Sequence, residues 1–218
     1  SAGGTVLNPD ASTITLGAPA VKALTIMKQL ADSTAADPSL SVQKENENRL
    51  QMEAGNAAFM LNYPFVYPGM KADNPKLFKV FKWALYPSVT AGVPAKVTIG
   101  GIDLAVSAYS QHKDLAFQAA LCLRNRENQL IGANVGGVPP TIASLYNDPR
   151  LFKNYPFHAD ILKALQNASV RPKTPVYQVV SIDISHQISP AASINPVSTL
   201  QAMKGSLSNA LQSKGLVP

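Results

Sequence analysis

The sequence predicts an α/β fold, mixed in its first half and almost wholly helical in its second. Three observations predict it. Prolines stand at segment boundaries (among them Pro19, Pro64, Pro87, Pro94, Pro149, Pro175 and Pro196) and cut the 218 residues into short strands and medium helices. Apolar residues recur at helical spacing on several of these pieces. Hydrophobic residues make up 46% of a chain long enough to bury a core, so it is globular and not disordered.

The elements follow in order. Residues 19–33 carry Val21, Leu24, Met27 and Leu30 on one helical face, and residues 43–55 form a polar helix closed by Gly55. The apolar run from Ala57 to Asn62 has strand length and stops at Tyr63-Pro64. Helical pieces are expected at 64–73 and 75–81, and a strand at Trp83-Ala84-Leu85-Tyr86-Pro87. Residues 96–107, KVTIGGIDLAVS, are β-rich with a double glycine inside, which implies two strands or one bent strand. Helices are then expected at 112–125, 126–133, 141–146, 156–168, 174–188 and 197–213, with Asp148 as an N-cap before Pro149. So helical a second half needs a sheet to lie on, and the strands present barely supply one. That shortage of sheet leads to the expectation of a missing N-terminal part, while the start at Ser1-Ala2-Gly3-Gly4 fits either a mature secreted start or a chain cut from something longer.

Composition excludes several functions. The apolar runs fall far short of the ~18 residues of a membrane span. Charged residues are only 15%, and Lys plus Arg less Asp plus Glu gives 19 − 13 = +6. That balance would suit nucleic acid, but the basic residues are scattered. The densest group, Lys71, Lys76, Lys79 and Lys82, reads as a solvated face. The single cysteine, Cys122, lies among apolar residues and reads as a small core hydrophobe. There is no GxSxG elbow, P-loop, GxGxxG, HExxH or CxxC. The histidines, His112, His158 and His186, are far apart in sequence, and His112 reads as a cap or surface residue. Asp183, Ser185 and His186 crowd one helix at spacings that build no triad, so a helix surface is expected there. Of the four glutamates three share one polar helix, and nothing marks the facing carboxylate pair a glycosidase needs. Catalysis, metal sites and cofactors therefore lack candidates.

Aromatic chemistry remains. Asn62-Tyr63-Pro64-Phe65-Val66-Tyr67 sets three rings where a strand turns into a helix, the place where open α/β sheets bind ligands. Aromatic faces beside amide donors suit sugars, with their apolar C–H face and polar rim; buried core rings are the alternative. Gly100 and Gly101 are either a bulge or a close backbone approach to a ligand. Arg171, before the Pro172–Pro175 turn, offers five fixed donors fit to hold hydroxyl pairs, with a surface salt bridge as the other reading.

In order along the chain, SAGGTVLNPD, AVKALTIMKQLAD, GNAAFMLNYPFVYP, AKVTIGGIDLAVSAYSQHKDLAFQAALCL, the ENQ of 127–129, GGVPPTIASLYNDP and RPKTPVYQVVSIDIS resemble segments of the bacterial family 1 extracellular solute-binding proteins, the sugar receptors of ABC importers. NYPFVY, KVTIGG and VRPKTPVYQ extend the likeness to actinobacterial trehalose-binding lipoproteins. The resemblance implies a type II periplasmic-binding-protein-like α/β fold present as its C-terminal half. Residues 1–93 would be C-lobe, 96–140 a hinge crossing with an N-lobe segment, and 145–218 C-lobe helices. The lipobox cysteine would lie outside this chain.

By the same resemblance Asn62, Tyr63 and Phe65 match the segment that gives the sugar an aromatic platform. Gly100 and Gly101 match the double glycine whose amides face the cleft. Arg171 matches the ligand-facing arginine before the proline turn, with Tyr177 a little farther on. The expected protein is a non-catalytic sugar receptor for ABC permease subunits, extracellular and lipid-anchored in full-length form, with no metal, no cofactor and no nucleic-acid partner. The competing readings are a carbohydrate-active hydrolase and a basic nucleic-acid-binding module. Strand edges in 97–106 are expected to make the chain self-associate or pair with its N-terminal part.

Overall fold

The computed structural model describes residues 1–214. Ten α-helices run in chain order: α1 (Ala18–Asp32), α2 (Glu45–Glu53), α3 (Val66–Asp73), α4 (Pro75–Phe78), α5 (Lys113–Leu123), α6 (Arg126–Gly136), α7 (Pro149–Phe152), α8 (His158–Gln166), α9 (Tyr177–Ile188) and α10 (Pro196–Leu211). Short 3-10 turns cover Ala143–Asn147 and Ala191–Ser193. The helices the sequence predicts are present, with ends a few residues shorter or longer, except that 141–146 forms only the 3-10 turn Ala143–Asn147. The expected strands are not. Among the described residues no strand exceeds a single bridge, as at Leu7 and Ile14, and 57–62, 83–87 and 96–107 run as irregular or extended chain. A helix closes its own hydrogen bonds, whereas a strand must borrow them from a neighbour.

The chain divides into two compact units. The first comprises Ser1–Gln43, Ser88–Ala95 and the chain from Ser169 on. Its core joins Leu16 and Leu24 to Val180, Ile194, Leu200, Met203 and Leu207. Leu200, Met203 and Leu207 recur at three- and four-residue steps, the period of one helical face. Pro196 opens α10 behind Asn195, whose side chain accepts from the Ser198 N–H at 3.1 Å. Asp183 departs from its expected surface position. It is buried on α9, where Ser206 Oγ of α10 donates to its Oδ2 at 2.6 Å, because a buried carboxylate needs a partner.

The second unit comprises Lys44–Pro87 and Lys96–Ala168. Its core gathers Leu130, Ala133, Leu145, Tyr146, Leu151, Tyr155 and Ile161. The Tyr146 hydroxyl donates to the Pro140 carbonyl at 2.8 Å, and burial pushes its pKa up to about 12. Arg49 pairs with Glu53 within α2 at 2.8 Å and ties α2 to α3 through Asp73 at 2.6 Å. Gly69 makes room for it, since a Cβ there would stand 3.2 Å from Arg49 Nη1. Cys122 is not the core residue its apolar neighbours suggest; it is exposed on α5, a helix with no buried residue.

Candidate functional site

The aromatic turn of the second unit lies between α2 and α3. Asn62 fastens it. Its Nδ2 donates to the Glu45 carbonyl in the first turn of α2 at 2.8 Å, and its Oδ1 accepts from the Tyr63 N–H at 2.8 Å. Pro64 fixes one φ of the turn. The chain then enters α3 through Val66 N–H to the Tyr63 carbonyl and Tyr67 N–H to the Pro64 carbonyl. The three rings separate by position. Tyr63 is 48% exposed and Phe65 37%, whereas Tyr67 is buried. Of the two alternatives left by the sequence, core describes Tyr67 and open ring surface describes Tyr63 and Phe65.

Behind the turn stands a ring cluster. The Tyr67 centroid lies 4.8 Å from Phe78, 5.9 Å from Trp83 and 4.9 Å from Phe157. Trp83 lies 5.3 Å from Phe157 and keeps 41% of its surface open. Sequence reasoning passed over Trp83 as a strand residue; its signal was a lone tryptophan in a segment without alternating polar partners. On the other side, α6 ends at Gly137 with φ +71°, the left-handed region that favours glycine. A Cβ on Gly137 would stand 3.0 Å from Pro68 Cγ and 3.5 Å from Phe65 Cα. Glycine is what lets the end of α6 approach the backbone that carries Phe65.

Gly100 and Gly101 are exposed in the same unit, and a Cβ on Gly101 would meet nothing within 4 Å. Arg171 and Tyr177 belong to the first unit. Arg171 is exposed, and Tyr177, half-buried, opens α9 with its N–H on the Thr174 carbonyl at 3.1 Å. His112 precedes α5 without capping it through its side chain, His158 stacks on Phe152 at 4.0 Å, and His186 lies exposed on α9. Among the described residues no group of three or more His, Cys, Asp or Glu side chains is placed to hold a metal ion, and no helix is long and apolar enough to cross a membrane. The densest charge network joins Arg150 to Glu127 at 2.9 Å and to Asp148 at 2.9 Å, with Arg126 at 3.6 Å.

Comparison with known proteins gives these shapes a context. The family described as "Bacterial extracellular solute-binding protein" matches residues 1–129. A Deinococcus radiodurans protein described as "Probable ABC transporter-binding protein" is 35% identical over 173 residues, 79% of this chain and 40% of its own. Maltose-bound MalE3 of T. maritima superposes with a TM-score of 0.85 at 25% identity, over 94% of this chain and 54% of that one. An ABC transporter solute-binding protein of Thermotoga lettingae, bound with α-D-tagatose, gives 0.71 at 20% identity, over 96% and 54%. The cyclic α-maltosyl-1,6-maltose binding protein of Arthrobacter globiformis gives 0.71 at 20%, over 97% and 53%. The chain thus spans about half the length of the solved structures it matches and less than half of the curated relative. Its fold is that of the type II periplasmic binding proteins.

Proposed function

Since the chain belongs to the bacterial extracellular solute-binding protein family, we propose that it is the C-terminal half of a sugar receptor for an ABC importer. The observation that carries the sugar reading is the turn at 62–65. There two rings are held open to solvent on a fixed backbone, the arrangement that suits the apolar face of a pyranose. Tyr63 and Phe65 form the platform. Gly100, Gly101, Arg171 and Tyr177 complete the proposed ligand contacts, and Asn62 belongs to the set as the residue that holds the turn. The ligand class is a disaccharide or short oligosaccharide, with trehalose the first candidate. A solved relative of like fold that carries maltose supports the class, and one that carries the monosaccharide tagatose supports only a sugar ligand.

In this reading residues 1–93 and 145–218 are C-lobe, and 96–140 cross the hinge into the N-lobe. Support comes from the open apolar residues of the crossing stretch, Ile102, Leu104, Leu115, Phe117, Leu121 and Leu123, which further chain would cover. Left alone, the stretch makes the chain self-associate or pair with that further chain. The receptor works without catalysis or cofactor, outside the cell and held by a lipid anchor, and hands its sugar to permease subunits. Calorimetry of the full-length protein against trehalose, maltose and a wider disaccharide panel tests the reading. Binding is expected, and Phe65→Ala should weaken it by roughly 1–3 kcal/mol, the value of a buried anchor. No binding by any sugar, or turnover of the sugar into products, overturns it.

A further inference from the structure

We infer that Asn62 is a positioning residue for the aromatic platform and not a contact to the sugar; this rests on the platform reading above. Asn and Gln amides beside aromatic rings suggest ligand donors from sequence, and Asn62 stands next to Tyr63 for that reason. In the fold both ends of its amide are engaged by protein. Nδ2 donates to the Glu45 carbonyl at 2.8 Å and also lies 3.5 Å from Met60 Sδ. Oδ1 accepts the Tyr63 N–H at 2.8 Å. The two bonds point in opposite directions along the chain. One reaches 17 residues back to α2 and the other one residue forward to the first platform ring. The side chain therefore bridges the start of α2 to the backbone of Tyr63, across a turn that no strand ladder supports.

The bridge has work to do because neither ring is buried enough to locate itself by packing. A platform whose backbone wanders must be ordered when the sugar arrives, and that ordering subtracts from affinity. Asn62 meets the cost before binding. An aspartate would keep the acceptor for the Tyr63 N–H but set a carboxylate oxygen against the Glu45 carbonyl, so only an amide serves both partners.

Two readouts separate the clamp from the platform. In the ligand-free full-length protein, hydrogen exchange at the Tyr63 amide should quicken about tenfold or more in Asn62→Ala and by less in Asn62→Asp, which keeps the acceptor but loses the tie to α2, while amides of α6 keep their rates. In trehalose and maltose titrations Asn62→Ala should weaken binding about tenfold. In the double variant Asn62→Ala with Phe65→Ala the loss should fall short of the sum of the two single losses, because Asn62 acts through the rings. Unchanged exchange at Tyr63, or losses that add in the double variant, overturns the clamp and restores Asn62 as a sugar contact. Unchanged affinity in Phe65→Ala instead overturns the platform, whatever the exchange shows.

Discussion

Helices α5 and α10 are alike as sequence and opposite as structure. Both alternate small and large apolar residues over three or more turns: KDLAFQAALCL in α5 and PVSTLQAMKGSLSNAL in α10. In α10 the stripe of Leu200, Met203 and Leu207 is buried against α9, α1 and Ile194. In α5 no residue is buried; Leu115, Phe117, Leu121 and Leu123 are each more than half exposed, and the open groove of about 350 Å³ beside them is lined by Leu104, Ala105, Val106, Ala116, Ala119, Ala120 and Leu123. Apolar content decides that a helix will seek cover. Whether it finds cover depends on partners that local sequence does not contain. α10 has its partners within this chain, and α5 carries an apolar face with little of its own chain on it.

The largest expected effect tests that difference directly. Leu207→Ala removes a fully buried side chain and leaves a cavity in the α1–α9–α10 core. It should cost about 2–5 kcal/mol of unfolding free energy. Leu121→Ala removes a side chain that is 59% exposed in the single chain, and at concentrations too low for self-association should change stability by no more than about 0.5 kcal/mol. Urea unfolding of the two variants of this chain settles the matter. An equal loss in both would mean that α5 is covered in solution, by a second copy if the loss scales with protein concentration.

The same contrast explains what was legible in the sequence. Helices are legible, because their bonds are local and their ends are written in residues such as Pro19, Asp148 with Pro149, and Pro196. The irregular course of 57–62, 83–87 and 96–107, where strands are expected, is not, because apolar composition states only a wish to pair. The aromatic turn was located, but the division of its rings into open Tyr63 and Phe65 and buried Tyr67 needed Phe78, Phe157 and Trp83 in place. Burial of Asp183 and exposure of Cys122 were both misread from their neighbours. Each is fixed by a distant event, Ser206 on α10 for one and an uncovered helix for the other.

Two glycines of α6 sharpen the comparison at intermediate size. Gly132 lies inside the helix, and a Cβ there would meet nothing within 4 Å. Gly132→Ala should stabilise by roughly 0.5–1 kcal/mol, since alanine loses less freedom on folding. Gly137 closes the helix at φ +71° against Pro68 and the Phe65 backbone. Gly137→Ala should cost roughly 1–2 kcal/mol for the left-handed backbone alone, and should also weaken sugar binding in the full-length protein by displacing Phe65. Thermal melts paired with titrations give both numbers. A stable Gly137→Ala variant with full affinity would show that the end of α6 does not hold the platform.

The smallest effect belongs to the charge network at the start of α7, where solvent reaches most partners and ion pairs contribute little. Asp148 caps α7 by accepting from the Arg150 N–H at 3.0 Å, and its carboxylate also receives the Arg150 guanidinium. Those side-chain bonds first, then the backbone bond and the nearby charges of Arg150 and Arg126, hold its pKa down at about 2. A depressed folded-state pKa contributes stability that is complete above the unfolded value, about 3.9, and fades as pH falls toward 2. Glu127 shares the Arg150 guanidinium, which donates to its two carboxylate oxygens at 3.0 and 2.9 Å. Asp148→Asn keeps an acceptor for the capping bond and removes the titrating charge. Stability measured from pH 6 to pH 2 should therefore fall less steeply below pH 4 in the variant than in the parent, with little difference at pH 6. Identical slopes in the two proteins would show that Asp148 is as well paired in the unfolded chain as in the folded one, and that the cap alone is what α7 requires.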